Sequence, residues 1–115
     1  RDLQTNCKEK GLPWEIAKSF DNSAPLSHKF ISKSELDLNE IKFSLSKNGE
    51  FVQQGNSKDM LFSIDEILVY ISQFMTLKIG DLIFTGTPSG VGPVAIGDEL
   101  IGKLGDQQIL QLKIK

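Results

Sequence analysis

Alternation is the clearest signal in the middle of the chain. Ile41, Phe43 and Leu45 are separated by Lys42, Ser44 and Ser46, the period of a strand with one solvated face. Asn48-Gly49 follows, before Phe51-Val52. An Asn-Gly pair between two strand-like runs predicts a hairpin closed by a type I′ turn, because both central residues tolerate positive φ. The period then changes to that of a helix, with Ile64, Ile67, Leu68, Ile71, Phe74 and Met75 on one broad face. Ser63-Ile64-Asp65-Glu66 is a capping box at its start, the Ser63 hydroxyl serving an early amide while Glu66 reaches back. The spacing predicts a helix from Ser63 that packs against a sheet and ends at Lys78-Ile79-Gly80-Asp81. Ile79-Gly80-Asp81 recurs as Ile96-Gly97-Asp98, each time before an apolar run, Leu82-Ile83-Phe84 or Leu100-Ile101. We read two turns that launch strands. Leu110, Leu112 and Ile114 alternate with Gln111 and Lys113 in a closing strand.

The first third of the chain is less regular. Residues 1–10 are good helix formers with Leu3 and Cys7 one turn apart, and Gly11 followed by Pro13 marks a stop. Leu12 to Phe20 reads as a helical turn or an irregular crossing and carries the single Trp14. Asp21-Asn22-Ser23-Ala24-Pro25 is a turn, and the polar stretch to Asn39 is surface loop with a short strand around Lys29 to Ile31. Together these elements predict a β-rich domain with two helices, of α+β or barrel-like type.

Composition narrows the picture. With 115 residues, 39% hydrophobic and 24% charged, the chain suits one domain with one core. A formal charge of -2 and scattered lysines argue against nucleic acid or an anionic membrane as principal partner. No window is apolar enough to span a bilayer. The lone Cys7 excludes an intramolecular disulfide and a multi-cysteine zinc site, and fits a reducing compartment such as the cytoplasm. The opening Arg1-Asp2, with no initiator Met and no signal-like stretch, reads as the downstream part of something longer.

Chemistry concentrates at few positions. Phe84-Thr85-Gly86-Thr87-Pro88-Ser89-Gly90-Val91-Gly92-Pro93 joins exposed backbone amides to three hydroxyls, which suits an anion or polar ligand; a turn-rich connection is the plain alternative. Lys18 stands behind Trp14, Ile16 and Ala17, so burial of that segment would partly desolvate its ammonium and let it stabilise an enolate or bind a carboxylate. Alternatively its stem packs on Trp14 and its head stays wet. Arg1 and Gln4 share a helix face, His28 reads as a surface residue, and Cys7 as core.

Arg1-Asp2-Leu3-Gln4, then Lys10-Gly11-Leu12-Pro13-Trp14 with Ala17-Lys18-Ser19-Phe20, then Thr85 to Pro93 and Gly97-Asp98-Glu99, resemble the fumarylacetoacetate hydrolase family. The blocks occur in the family's order over nearly the whole chain. The resemblance implies a mixed β-sandwich roll, usually dimeric, of which residues 1–115 are the C-terminal portion of one catalytic domain. It implies Mg²⁺ or Mn²⁺ and a small 2-oxo acid or dienoate substrate, with C–C hydrolysis, decarboxylation or isomerisation as the reaction. Lys18 matches the lysine that stabilises the developing enolate, and Gln4 the glutamine that orients substrate or water. Arg1 matches the arginine of the Arg-Asp-x-Gln motif, and Thr87, with Gly86 beside it, the threonine that binds the substrate carboxylate. The runs around Trp14 and Lys18 look most like the acylpyruvate hydrolase and oxaloacetate decarboxylase branch. The family's metal-binding carboxylates and its His-Glu base lie upstream of Arg-Asp-x-Gln and match no residue here. A catalytically silent binding module is therefore the second expectation.

Overall fold

The computed structural model describes residues 2–115. α1 spans Asp2–Glu9 and α2 is the single turn Glu15–Lys18. What joins them is a Schellman closure: the Leu12 N–H donates to the Cys7 carbonyl at 2.8 Å and the Gly11 N–H to the Lys8 carbonyl at 3.4 Å. Gly11 occupies the left-handed position that this closure demands, with φ of 62°. The reversal brings α2 into contact with α1, and Cys7 is buried as expected. A methyl group at Gly11 would meet no atom, so substitution there is penalised through φ alone. Gly11→Ala is expected to lower the unfolding free energy by about 1–2 kcal/mol. Denaturant titration measures this, and an unchanged midpoint would contradict it.

β1 (Lys42–Lys47) and β2 (Glu50–Asn56) form the predicted hairpin, with Asn48 and Gly49 at φ of 52° and 89°. After α3 (Ile64–Ser72) come β3 (Glu99–Leu104) and β4 (Gln107–Lys113). The four strands make one antiparallel sheet in the order β2-β1-β3-β4, giving the expected α+β class. Its centre is tight because glycine sits where strands crowd: Gly102 is buried between Leu45 and Leu110, and the Phe43 ring lies against Gly55.

Both Ile-Gly-Asp triplets adopt the same turn. The Asp81 N–H donates to the Lys78 carbonyl at 3.1 Å, and that of Asp98 to Ala95 at 3.0 Å. Each Asp carboxylate accepts the N–H of the same first residue, at 2.7 and 2.9 Å. Only the second turn launches a strand. Leu82-Ile83-Phe84, expected as a short buried strand, is irregular, with Leu82 and Phe84 exposed. The following β3 pairs with β1 and β4, whereas residues 82–84 pair with no strand among the described residues.

Other expectations are corrected. No strand forms around Lys29 to Ile31; a capping box between Ser32 and Glu35 instead opens the 3-10 turn Lys33–Glu35. The Ser63–Glu66 box caps α3 as predicted, and the N–H of Ser63 holds the Glu66 carboxyl below its usual range. α3 nevertheless ends at Ser72, well before Lys78, and makes no extensive contact with the sheet. The flanking residues 57–59 and 73–98 hold no strand to carry it back, and Val69, Tyr70, Phe74 and Met75 remain exposed. The accessible surface is 9357 Å², where a compact protein of this mass exposes about 6,300 Å². Large apolar faces are thus left uncovered by the chain itself.

Candidate functional site

Two pairs of side chains stand out, each built by one of the local structures just described. The Schellman closure turns α2 back along α1, and across that junction Lys18 Nζ donates to Gln4 Oε1 at 2.9 Å. The ammonium also lies 5.8 Å from the Trp14 ring centroid, within cation–π range. The two residues assigned catalytic roles by resemblance are therefore in direct contact. Contrary to the buried setting considered for Lys18, both Lys18 and Trp14 are exposed, because α2 is covered on one side only. Arg1 lies outside the described residues. A shallow depression on α1 includes Gln4, Thr5, Lys8 and Glu9.

The bond fixes what each partner still offers. Lys18 retains two N–H donors, and Gln4, with its oxygen engaged, retains its amide N–H₂. The pair therefore presents donors, which suits carbonyl, carboxylate or enolate oxygens.

The second pair holds the Thr-Gly-Thr-Pro loop. Gln53 of β2 places its side-chain nitrogen 2.8 Å from Thr87 Oγ1, 3.1 Å from the Pro88 carbonyl and 3.4 Å from that of Ser89. Gly90 lies so close to β2 that a methyl group there would overlap the Val52 carbonyl oxygen. Gly86 has φ of 98°, and its surroundings are open. Among the described residues, the backbone N–H groups of 82–87 and 89–92 make no hydrogen bond within the chain. They remain available to a ligand, as an anion cradle requires.

The far end of the loop is tied to the same hairpin. Lys47 Nζ donates to the Pro93 carbonyl at 3.2 Å and lies 3.8 Å from Asp98, while Asn48 Nδ2 donates to Asp98 at 2.8 Å. The N–H of Ala95, then the amide of Asn48, holds the Asp98 carboxyl below its usual range. No hydrogen bond or ion pair among the described residues links Lys18 or Gln4 to Gly86 or Thr87. His28 is exposed, as expected.

Sequence reasoning missed Gln53 and gave Gly90 no role beyond the loop. Gln53 is 34 positions from Thr87, and beside Gln54 it reads as one of two polar strand residues. The one available signal was alternation, which puts the two glutamines on opposite faces. Among the described residues no three His, Cys, Asp or Glu side chains gather to hold a metal ion. These residues alone therefore do not fit a divalent cation. No helix among them is long and apolar enough to cross a membrane.

The fold thus carries two separate groups of donors on an α+β scaffold, the Lys18–Gln4 pair at the α1–α2 junction and the amide-lined loop held by β2. The family model described as Fumarylacetoacetate (FAA) hydrolase C-terminal matches residues 1–112. The chain belongs to the fumarylacetoacetate hydrolase family. It is 47% identical over 116 residues to mitochondrial oxaloacetate tautomerase FAHD1 of Bos taurus, covering 100% of this chain and 51% of that protein. It is 52% identical over 102 residues to oxaloacetate tautomerase YcgM of Escherichia coli, covering 87% of this chain and 46% of the other. The crystal structure of fumarylpyruvate hydrolase from Pseudomonas aeruginosa, in complex with Mn²⁺ and pyruvate, superposes with a TM-score of 0.89 at 37% identity. That match covers 99% of this chain and 49% of the other. The chain thus spans about half the length of the relatives it matches.

Proposed function

We propose that the chain is the C-terminal portion of a single catalytic domain that acts on small 2-oxo acids through an enolate. Acylpyruvates, fumarylpyruvate and oxaloacetate are the substrate class, and C–C hydrolysis or decarboxylation is the reaction. The observation that carries this reading is the Lys18–Gln4 hydrogen bond at 2.9 Å, which sets an ammonium beside an amide donor. Breaking a C–C bond next to a ketone leaves an enolate oxygen, and the two remaining N–H groups of Lys18 stabilise it. The Gln4 amide orients substrate or water. Thr87 and Gly86 hold the substrate carboxylate, and Arg1 assists them.

Keto–enol tautomerisation of oxaloacetate is the second reading, favoured by the activity in the names of the bovine and Escherichia coli relatives. It passes through the same enolate and uses the same donors. Isomerisation of hydroxy-dienoates makes the same demand.

In our reading the Mg²⁺ or Mn²⁺ implied by the family takes its ligands from outside these 115 residues. The isolated chain then has no turnover. The active assembly is a homodimer in a reducing compartment, the cytoplasm. The exposed apolar faces, Val69, Tyr70, Phe74 and Met75 among them, support a fold completed by further protein surface.

The deciding experiment uses the whole domain. It measures cation-dependent pyruvate release from a panel of acylpyruvates and oxaloacetate, together with the enol-to-keto conversion of oxaloacetate followed by absorbance. Turnover of at least one acid is expected, and none across the panel would sink the reading. For the loop, Thr87→Val is expected to raise KM roughly 10- to 100-fold with little change in kcat, the worth of one hydrogen bond to a charged group. Unchanged kinetic constants would make Thr87 a turn residue only.

A further inference from the structure

Gln53 does more than tie down a loop. Of the three atoms its side-chain nitrogen approaches, two are the backbone carbonyl oxygens of Pro88 and Ser89, which only accept. The amide nitrogen, and not the amide oxygen, must therefore face the loop. That nitrogen cannot accept a hydrogen bond, so in the 2.8 Å contact the Thr87 hydroxyl is the acceptor. A hydroxyl has one proton. With its oxygen engaged by Gln53, the Thr87 proton points elsewhere and is left to donate.

We propose that Gln53 is a positioning residue that holds the Thr87 oxygen and turns its proton away from β2, so that the hydroxyl is oriented to donate to a carboxylate oxygen of a ligand. The proposal deepens the reading of Thr87 as the carboxylate contact and rests on it. The unpaired N–H groups of residues 82–87 and 89–92 add donors along the same segment. Gln53 engages the carbonyls of residues 88 and 89, so these acceptors are turned onto β2.

The test uses the whole domain and three variants. Gln53→Glu keeps the size but removes the donors, setting a carboxylate against two carbonyls and drawing the Thr87 proton inward. Gln53→Met removes the bonds without adding charge. Gln54→Glu makes the same charge change on the opposite face of β2. Pyruvate affinity is measured by calorimetry, KM and kcat by turnover, and folding by thermal melts. Gln53→Glu is expected to weaken pyruvate and raise KM about 30-fold, with kcat within about threefold, and Gln53→Met to do so about fivefold. Gln54→Glu is expected to stay within about twofold of wild type. In a Thr87→Val background the Gln53→Met effect is expected to shrink to less than about twofold, because it acts through that hydroxyl.

Folded Gln53→Glu and Gln53→Met variants with pyruvate affinity and KM unchanged would overturn the proposal while leaving the enzyme reading intact. So would a Gln53→Met effect undiminished by Thr87→Val. Absence of turnover on every acid, with pyruvate binding still weakened by Gln53→Met, would remove the enzyme reading and sustain the role of Gln53. Wild-type protein that binds no pyruvate would remove both.

Discussion

Replacing Lys18 with Met in the whole domain is expected to lower kcat by about 10²- to 10³-fold, the loss seen when one preorganised donor to a developing oxyanion is removed. Methionine preserves the apolar stem that runs past Trp14 but offers no N–H. The variant should fold, since Lys18 is exposed and among the described residues its side chain bonds to Gln4 alone. Its KM should change little, because in the proposed reaction the enolate charge develops only after the substrate is bound. Lys18→Arg is a useful companion: it restores charge but replaces a compact ammonium with a planar fork, and is expected to recover only part of the rate. A Met variant that turns over acylpyruvates and oxaloacetate at the wild-type rate would remove Lys18 from the mechanism.

The second large effect is expected at a residue with no functional group. Gly90→Ala places a methyl group against the Val52 carbonyl and the Gln53 side chain, and does so at φ of 102°, which L-residues avoid. Neither obstacle gives way cheaply, because the Val52 carbonyl belongs to β2. The loop must lift from the strand, and the Gln53–Thr87 bond lengthens with it. A cost of about 2–4 kcal/mol is expected from strain and displacement together, lowering Tm by roughly 5–10 °C. KM for the acid substrate should rise by at least about tenfold. Differential scanning calorimetry and steady-state kinetics check the two parts separately. A Gly90→Ala protein with unaltered Tm and KM would show that the close approach to β2 is not needed.

What could be read in advance depended on how far apart the interacting residues lie. The hairpin at Asn48-Gly49 and the cap at Ser63-Glu66 are settled within four residues, so turn and capping chemistry alone located them. The stop at Gly11 was equally local. Leu82-Ile83-Phe84 failed as a strand because β structure needs a neighbour, and apolar content does not supply one. The packing of α3 failed for a related reason: an apolar stripe shows that a helix wants cover, not that its own chain provides it. Lys18 and Gln4 were legible together only as parts of motifs in a known order; 14 positions apart, no periodicity joins them. Gln53 had no motif and no local partner, and so went unseen.

The hairpin of β1 and β2 holds the Thr-Gly-Thr-Pro segment at both ends, through Gln53 near its start and through Lys47 and Asn48 beyond Pro93. Opening the segment and fraying the hairpin are therefore coupled events in one local equilibrium. A ligand that binds only the closed segment shifts that equilibrium by RT ln(1 + [L]/Kd), about 2.7 kcal/mol at a hundredfold excess over Kd. A ligand held by the loop would thus act as a thermodynamic brace on β1 and β2 through the segment they tie down.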